Sequence, residues 1–218
     1  MISPTTKECS HNMNLMYNLY DEIVIYNVYA PKCNTGESSL SYSSERIAKK
    51  EATMKYKRLS MFAGYDPCYT TYIQDYFNIM DVQKSLHADV SGWIKDRWSI
   101  CSGRIFYNYD REVDSVLPIY SKLVKAGLRI WVYSGDVDGR VPVIGTRYWV
   151  ESLGLPVKSQ WQSWYLNNQV AGRYVEYEGL TMATVRGAGH AVPQDKPEEA
   201  HVLINSFISG RRLPTKNN

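Results

Sequence analysis

Three side chains hold the chemistry that can be read from this sequence. Asp136 and Asp138 sit in the stretch Ser134-Gly135-Asp136-Val137-Asp138-Gly139-Arg140-Val141-Pro142. His190 closes Gly187-Ala188-Gly189-His190. A histidine held by an acid is the general-base half of a nucleophilic triad. The carboxylate orients the imidazole, and the free ring nitrogen takes a proton from a hydroxyl. Small residues before the histidine let the backbone turn sharply and leave the ring room to move. Plainer readings compete with this one. A lone loop histidine is more often structural or simply solvated. Aspartate in a glycine-rich turn more often closes an Asx-turn. His11 and His87, in a helical and aromatic first half, and His201, in the last helix, fit the plainer reading.

The elements that position these residues strengthen the case. Leu128–Tyr133, LRIWVY, is apolar but for Arg129 and of strand length, without the alternation of a half-exposed strand, as expected of a strand covered on both faces. The aspartate loop follows it directly. Leu180–Val185, LTMATV, is another strand, and the histidine loop follows that. Helices are expected over Ser115–Ala126, closed by Gly127, over Val143–Leu153, stopped by Gly154 and Pro156, and over Pro197–Ile208. Trp161–Tyr165 and Arg173–Tyr177 read as a hairpin turning across Asn167–Gly172. Strands alternating with helices define an α/β protein. Such sheets place catalytic groups beyond the C-terminal ends of their strands. Acid before base, each behind a late strand, is also the chain order of α/β-hydrolases: nucleophile, acid, base.

The first half reads differently. A helix over residues 8–20 precedes the Val/Ile/Tyr-rich stretch IVIYNVYAP. Beyond residue 60 come short helices, with a turn at Tyr65-Asp66-Pro67 and Asp81 as the cap of VQKSLHA. Residues 92–101 are irregular and aromatic. Between them lies a Ser-rich segment followed by Arg46, Lys49, Lys50, Lys55, Lys57 and Arg58 against Glu51 alone. That basic stretch carries +5 of an overall +3, so the other residues sum to −2. The charge therefore marks an exposed linker at about residues 34–60 rather than a nucleic-acid surface. No apolar run reaches the roughly 18 residues of a membrane span. The opening residues MISPTTKECSHNMNL lack the basic-then-apolar pattern of a signal peptide.

A hydrolase of this order needs a nucleophile in a GxSxG elbow. The nearest match is Gly36-Glu37-Ser38-Ser39-Leu40, which lacks the closing glycine and lies in the linker. Nor does a glycine-rich segment for an oxyanion hole occur. Cys9, Cys33, Cys68 and Cys101 form no CxxC pair, so zinc is not expected, and spacing alone leaves three pairings open.

The chain resembles the C-terminal half of plant serine carboxypeptidases. GDVDGRVP and TVRGAGHAVP are the specific motifs, supported by YNVYAPKC, GYDPCYTTYIQDYFN, DVQKSLHA, WSIC and VLPIYSKLVKAG. The resemblance implies the C-terminal portion of an α/β-hydrolase fold with part of a helical insertion. Residues 1–33 and 61–114 would belong to the insertion, 34–60 to a linker, and 115–218 to the core. It implies Asp138 as triad acid, third after the glycine, and His190 as triad base. It implies Cys33–Cys68 as a disulfide, with Cys9 and Cys101 resembling cysteines whose partners lie in other segments.

It also implies hydrolysis of C-terminal peptide bonds without metal or cofactor, and a vacuolar or extracellular product. Family members carry WNGGPGCSS and GESYAG, for the oxyanion hole and nucleophile, in an N-terminal half. The chain by itself is therefore expected to be inactive. Some relatives form dimers, which leaves a homodimer open. Two alternatives remain at this level. Relatives include acyltransferases, although these tend towards GDHD where this chain has GDVD. A truncated or degenerate non-catalytic homologue is the other.

Overall fold

The computed structural model describes residues 6–20, 23–33, 67–88, 97–110, 112–113 and 115–216. The expected linker, the Gly36–Leu40 segment and Tyr65–Asp66 of the expected turn lie outside them. The chain divides into two compact units, one of Met1–Pro31 with Ser115–Asn218, the other of Lys32–Asp114.

The elements in chain order are α1 (Lys7–Tyr20), α2 (Tyr69–Phe77), α3 (Met80–Ser85), α4 (Gly103–Asn108) and α5 (Leu117–Lys125). Then come β1 (Ile130–Gly135), α6 (Val143–Ser152), β2 (Val157–Leu166), β3 (Gln169–Tyr177) and β4 (Leu180–Val185). The short α7 (Val192–Asp195) and α8 (Pro197–Ile208) complete the order.

In the smaller unit, Cys33 and Cys68 are joined in a disulfide, while Cys9 and Cys101 of the chain are free thiols. Asn78 and Trp98 exchange hydrogen bonds: Asn78 Nδ2 donates to the Trp98 carbonyl (2.9 Å) and the Trp98 amide to Asn78 Oδ1 (2.8 Å). The Phe77 and Trp98 rings pack 4.8 Å apart over this joint. Asp81 does not cap its helix. The Gln83 amide already donates to the Ile79 carbonyl (3.0 Å), so α3 begins at Met80 and Asp81 falls inside its first turn.

In the larger unit the strands form one sheet in the order β1-β4-β3-β2. β1 and β4 are parallel, and the other neighbours are antiparallel. Both faces of β4 are covered, as its largely apolar sequence LTMATV leads one to expect. Leu180 and Met182 pack with Val150 of α6 and with Val175 and Tyr177 of β3. Ala183 and Val185 face the other way, towards Trp164, Ala200, Leu203 and Leu213. β1 divides likewise, with Ile130 and Val132 on the first cluster and Trp131 on the second.

The β2–β3 hairpin is longer, and its turn tighter, than the sequence reading. Asn167 and Asn168 both take positive φ, 49° and 60°, the two-residue geometry that matches strand twist. Gly172 is therefore not a turn residue but lies inside β3.

The tyrosines of β3 set an alkaline limit on stability. Burial pushes the Tyr174 phenol above its ordinary 10.0, Glu176 adds to the rise, and Arg212 opposes it. Tyr177 is raised the same way, by burial first, then Glu151, against Arg147. The folded state thus favours the neutral phenols. Their stabilisation is complete below the unfolded pKa of about 10 and is lost as pH rises through it towards the folded values. Thermal melts should show a lower Tm at about pH 11 than at about pH 8. The Tyr174→Phe/Tyr177→Phe double variant should shrink that drop; an unchanged drop would refute this assignment.

Candidate active site

Register explains why two loops far apart in sequence meet. β1 and β4 pair from Ile130↔Leu180 to Gly135↔Val185, so both strands end at the same level. The Asp136 amide extends the ladder by donating to the Val185 carbonyl (3.2 Å). The Val137 amide then donates to the Ala188 carbonyl (3.1 Å). The loops touch backbone to backbone because Gly135 has no side chain. A Cβ there would lie 2.2 Å from the Ala188 oxygen.

The two aspartates part company at this point. Asp136 Oδ1 accepts the Gly187 amide (2.7 Å), which ties the start of the histidine loop to the aspartate loop. Asp138 Oδ2 lies 2.9 Å from His190 Nδ1. Asp138 Oδ1 accepts the amides of Arg140 (2.8 Å) and Val141 (3.0 Å). The Asx-turn and the acid–histidine pair, rivals in the sequence, therefore coexist on one carboxylate, one oxygen each.

Burial is asymmetric. The Asp138 side chain is 5% exposed and that of His190 45%. An ionised carboxylate only accepts hydrogen bonds, so Nδ1 carries the proton and Nε2 keeps its lone pair. A half-exposed imidazole whose Nε2 has no hydrogen-bond partner among the described residues, backed by a buried acid, can take a proton from a hydroxyl and hand it on.

Residues that the sequence reading passed over surround the pair. The Tyr26 carbonyl accepts the His190 amide (2.7 Å), and the Ile25 carbonyl accepts that of Gly139 (2.9 Å). The Val28 amide donates to Val137 (3.0 Å). The Tyr26 ring stands 5.3 Å from the His190 ring at 58°. IVIYNVYAP is accordingly a run of turns that binds both loops through its backbone. Of the other histidines, His201 Nε2 pairs with Asn205 Nδ2 (2.7 Å) within α8, and His87 holds a left-handed turn after α3. Among the described residues no cluster of three His, Cys, Asp or Glu could hold a metal ion.

Residues 1–210 match the family model for serine carboxypeptidase. The chain belongs to the serine carboxypeptidase family. It is 54% identical over 210 residues to Serine carboxypeptidase-like 26 of Oryza sativa subsp. japonica, covering 96% of this chain and 44% of the rice protein. Serine carboxypeptidase-like 33 of Arabidopsis thaliana is 53% identical over 214 residues, again 96% of this chain and 44% of that one. Among solved structures, the chain resembles the prohormone-processing carboxypeptidase Kex1(delta)p from Saccharomyces cerevisiae. The TM-score is 0.59 at 17% identity, over 95% of this chain and 42% of that one. That likeness shows the α/β-hydrolase fold. This serine carboxypeptidase family chain thus spans a little under half the length of the curated relatives it matches.

Proposed function

We propose that this chain supplies the acid and base of a serine carboxypeptidase, with His190 as general base and Asp138 as its orienting acid. The contact between His190 Nδ1 and Asp138 Oδ2 at 2.9 Å carries the reading. The nucleophilic serine and the oxyanion donors come, in this reading, from the N-terminal half of the family fold. His190 Nε2 takes the serine hydroxyl proton as the oxygen attacks the last peptide carbonyl. It then passes that proton to the departing amine, leaving an acyl-serine. Water attacks the acyl-serine by the same two proton transfers in reverse order. Asp138 stays ionised throughout and stabilises the transient imidazolium. The substrates are peptide or protein C-termini. A vacuolar or extracellular setting suits the Cys33–Cys68 bond, which persists under oxidising conditions.

The test joins the N-terminal portion of the rice relative to residue 1 of this chain. The fusion should release the terminal amino acid from a blocked dipeptide, and the 218-residue chain alone should not. His190→Ala in the fusion should remove at least about 10³-fold of that activity. Fluorophosphonate labelling of the chain alone at Ser38, abolished by His190→Ala, would overturn the division of labour. So would a fusion that transfers acyl groups from a glucose ester but leaves the dipeptide intact.

A further inference from the structure

We propose that Asp195 and Asn27 form a positioning pair that holds His190 in register with Asp138. The inference rests on His190 being the base. The residue before His190 is gripped by a charge: the Gly189 amide donates to Asp195 Oδ2 at 2.7 Å. The same oxygen accepts Asn27 Nδ2 at 3.0 Å. The neighbouring Tyr26 carbonyl accepts the His190 amide itself at 2.7 Å. Two grips on the 189–190 backbone, one direct and one through residues 26–27, therefore end on a single carboxylate oxygen.

Space around Gly189 shows how close the fit is. A Cβ there would lie 2.1 Å from the Tyr26 oxygen and 2.7 Å from Asn27 Cβ. The 26–27 segment lies directly on the loop and has no slack to follow a histidine that drifts. Hydrogen bonds to an ionised acceptor are roughly twice as strong as neutral ones. An acid is thus suited to hold this backbone against the pull of the His190–Asp138 bond.

The plainer role for Asp195 would be to cap the helix that follows it. The structure gives it no such role. The cap position of α8 is Lys196, and α8 receives no side-chain cap hydrogen bond. The Asp195 carboxylate turns back to the histidine loop.

The test reads His190 directly and needs no catalysis. In the 15N-labelled 218-residue chain, His190→Gln assigns the His190 ring signals. The parent should show a slowly exchanging Nδ1 proton, the mark of the bond to Asp138. Asp195→Ala should accelerate its exchange by at least about tenfold. Asp195→Asn, which keeps an oxygen acceptor in place, should recover most of the protection. Asn27→Ala removes one donor of the pair and should give an intermediate acceleration. That arm remains readable if Asp195→Ala does not fold. Unchanged exchange in Asn27→Ala, or a fall in Tm for Asp195→Ala with the Nδ1 proton still protected, would make the pair purely structural and overturn the inference. A parent without a protected Nδ1 proton would instead strike at the reading of His190 itself, and the positioning role would fall with it.

Discussion

Asp138→Asn in the rice-headed fusion is expected to lower kcat by about 10⁴-fold while leaving the fold intact. The hydrogen bonds at this residue dictate the outcome. Asp138 Oδ1 accepts two amides, from Arg140 at 2.8 Å and Val141 at 3.0 Å. An asparagine has one oxygen, and its amino group cannot accept. The oxygen must therefore stay on the two amides, and the amino group must face His190 Nδ1. That nitrogen then becomes an acceptor, and the ring proton moves to Nε2. The lone pair that would take the serine proton is gone, although every heavy atom stays in place. Two measurements check this: kcat on a blocked dipeptide, and the 15N signals of His190, which should switch from Nδ1–H to Nε2–H. Asp136→Asn is the control. Among the described residues its Oδ1 accepts the Gly187 amide alone, which an amide oxygen serves as well, so kcat should fall by less than about tenfold. Equal losses at the two positions would sink the assignment of Asp138 as the acid.

The contrast between these aspartates also shows what a sequence can reveal. Composition and turn chemistry leave Asp136 and Asp138 alike, since both sit in a glycine-rich loop behind a strand. Only the likeness to a family, through the spacing after Gly135, prefers Asp138. Both carboxylates reach across to the loop after β4, so the physical difference lies in what each meets there: Asp136 the Gly187 amide, Asp138 the His190 ring.

β4 itself was legible to the residue. A strand covered on both faces must be apolar throughout, and Leu180–Val185 is nearly so. α8 was equally legible, because Pro197 opens it and Gly210, at φ 70°, follows its end. β2 was read short because its first residues, Val157, Lys158 and Gln160, are exposed and it occupies a sheet edge. Polar residues there look like loop.

Harder still was the segment around Tyr26. Ile25 and Tyr26 support the site through carbonyl oxygens, which every residue possesses. No side-chain pattern announces such a contact. Asp195 was hidden for a related reason: an acid at the start of a helix is ordinarily read as favourable to the helix dipole. Its reach back to Gly189 is a property of the folded loop alone.

Two glycine-to-alanine changes should separate stability from site geometry. Gly172→Ala puts a Cβ 1.8 Å from the Thr184 oxygen and 2.5 Å from Trp164 Nε1. Trp164 is fully buried, and its Nε1 donates to that same oxygen at 3.0 Å. β3 and β4 would have to part at the centre of the sheet, at a cost of at least about 3 kcal/mol.

Gly135→Ala meets the Ala188 and Gly189 oxygens at 2.2 and 2.3 Å. Ordinary carbon contacts are about 3.5 Å, so the histidine loop must retreat by roughly 1 Å. A 2.9 Å hydrogen bond from His190 to Asp138 does not survive that shift, and a misplacement of this size costs about 10²-fold in rate. Urea denaturation should therefore rank Gly172→Ala as the less stable protein. At low temperature, where both remain folded, Gly172→Ala should keep the protected Nδ1 proton of His190 and Gly135→Ala should lose it. The opposite pattern would mean that the site depends on the sheet as a whole and not on the contact between the two loops.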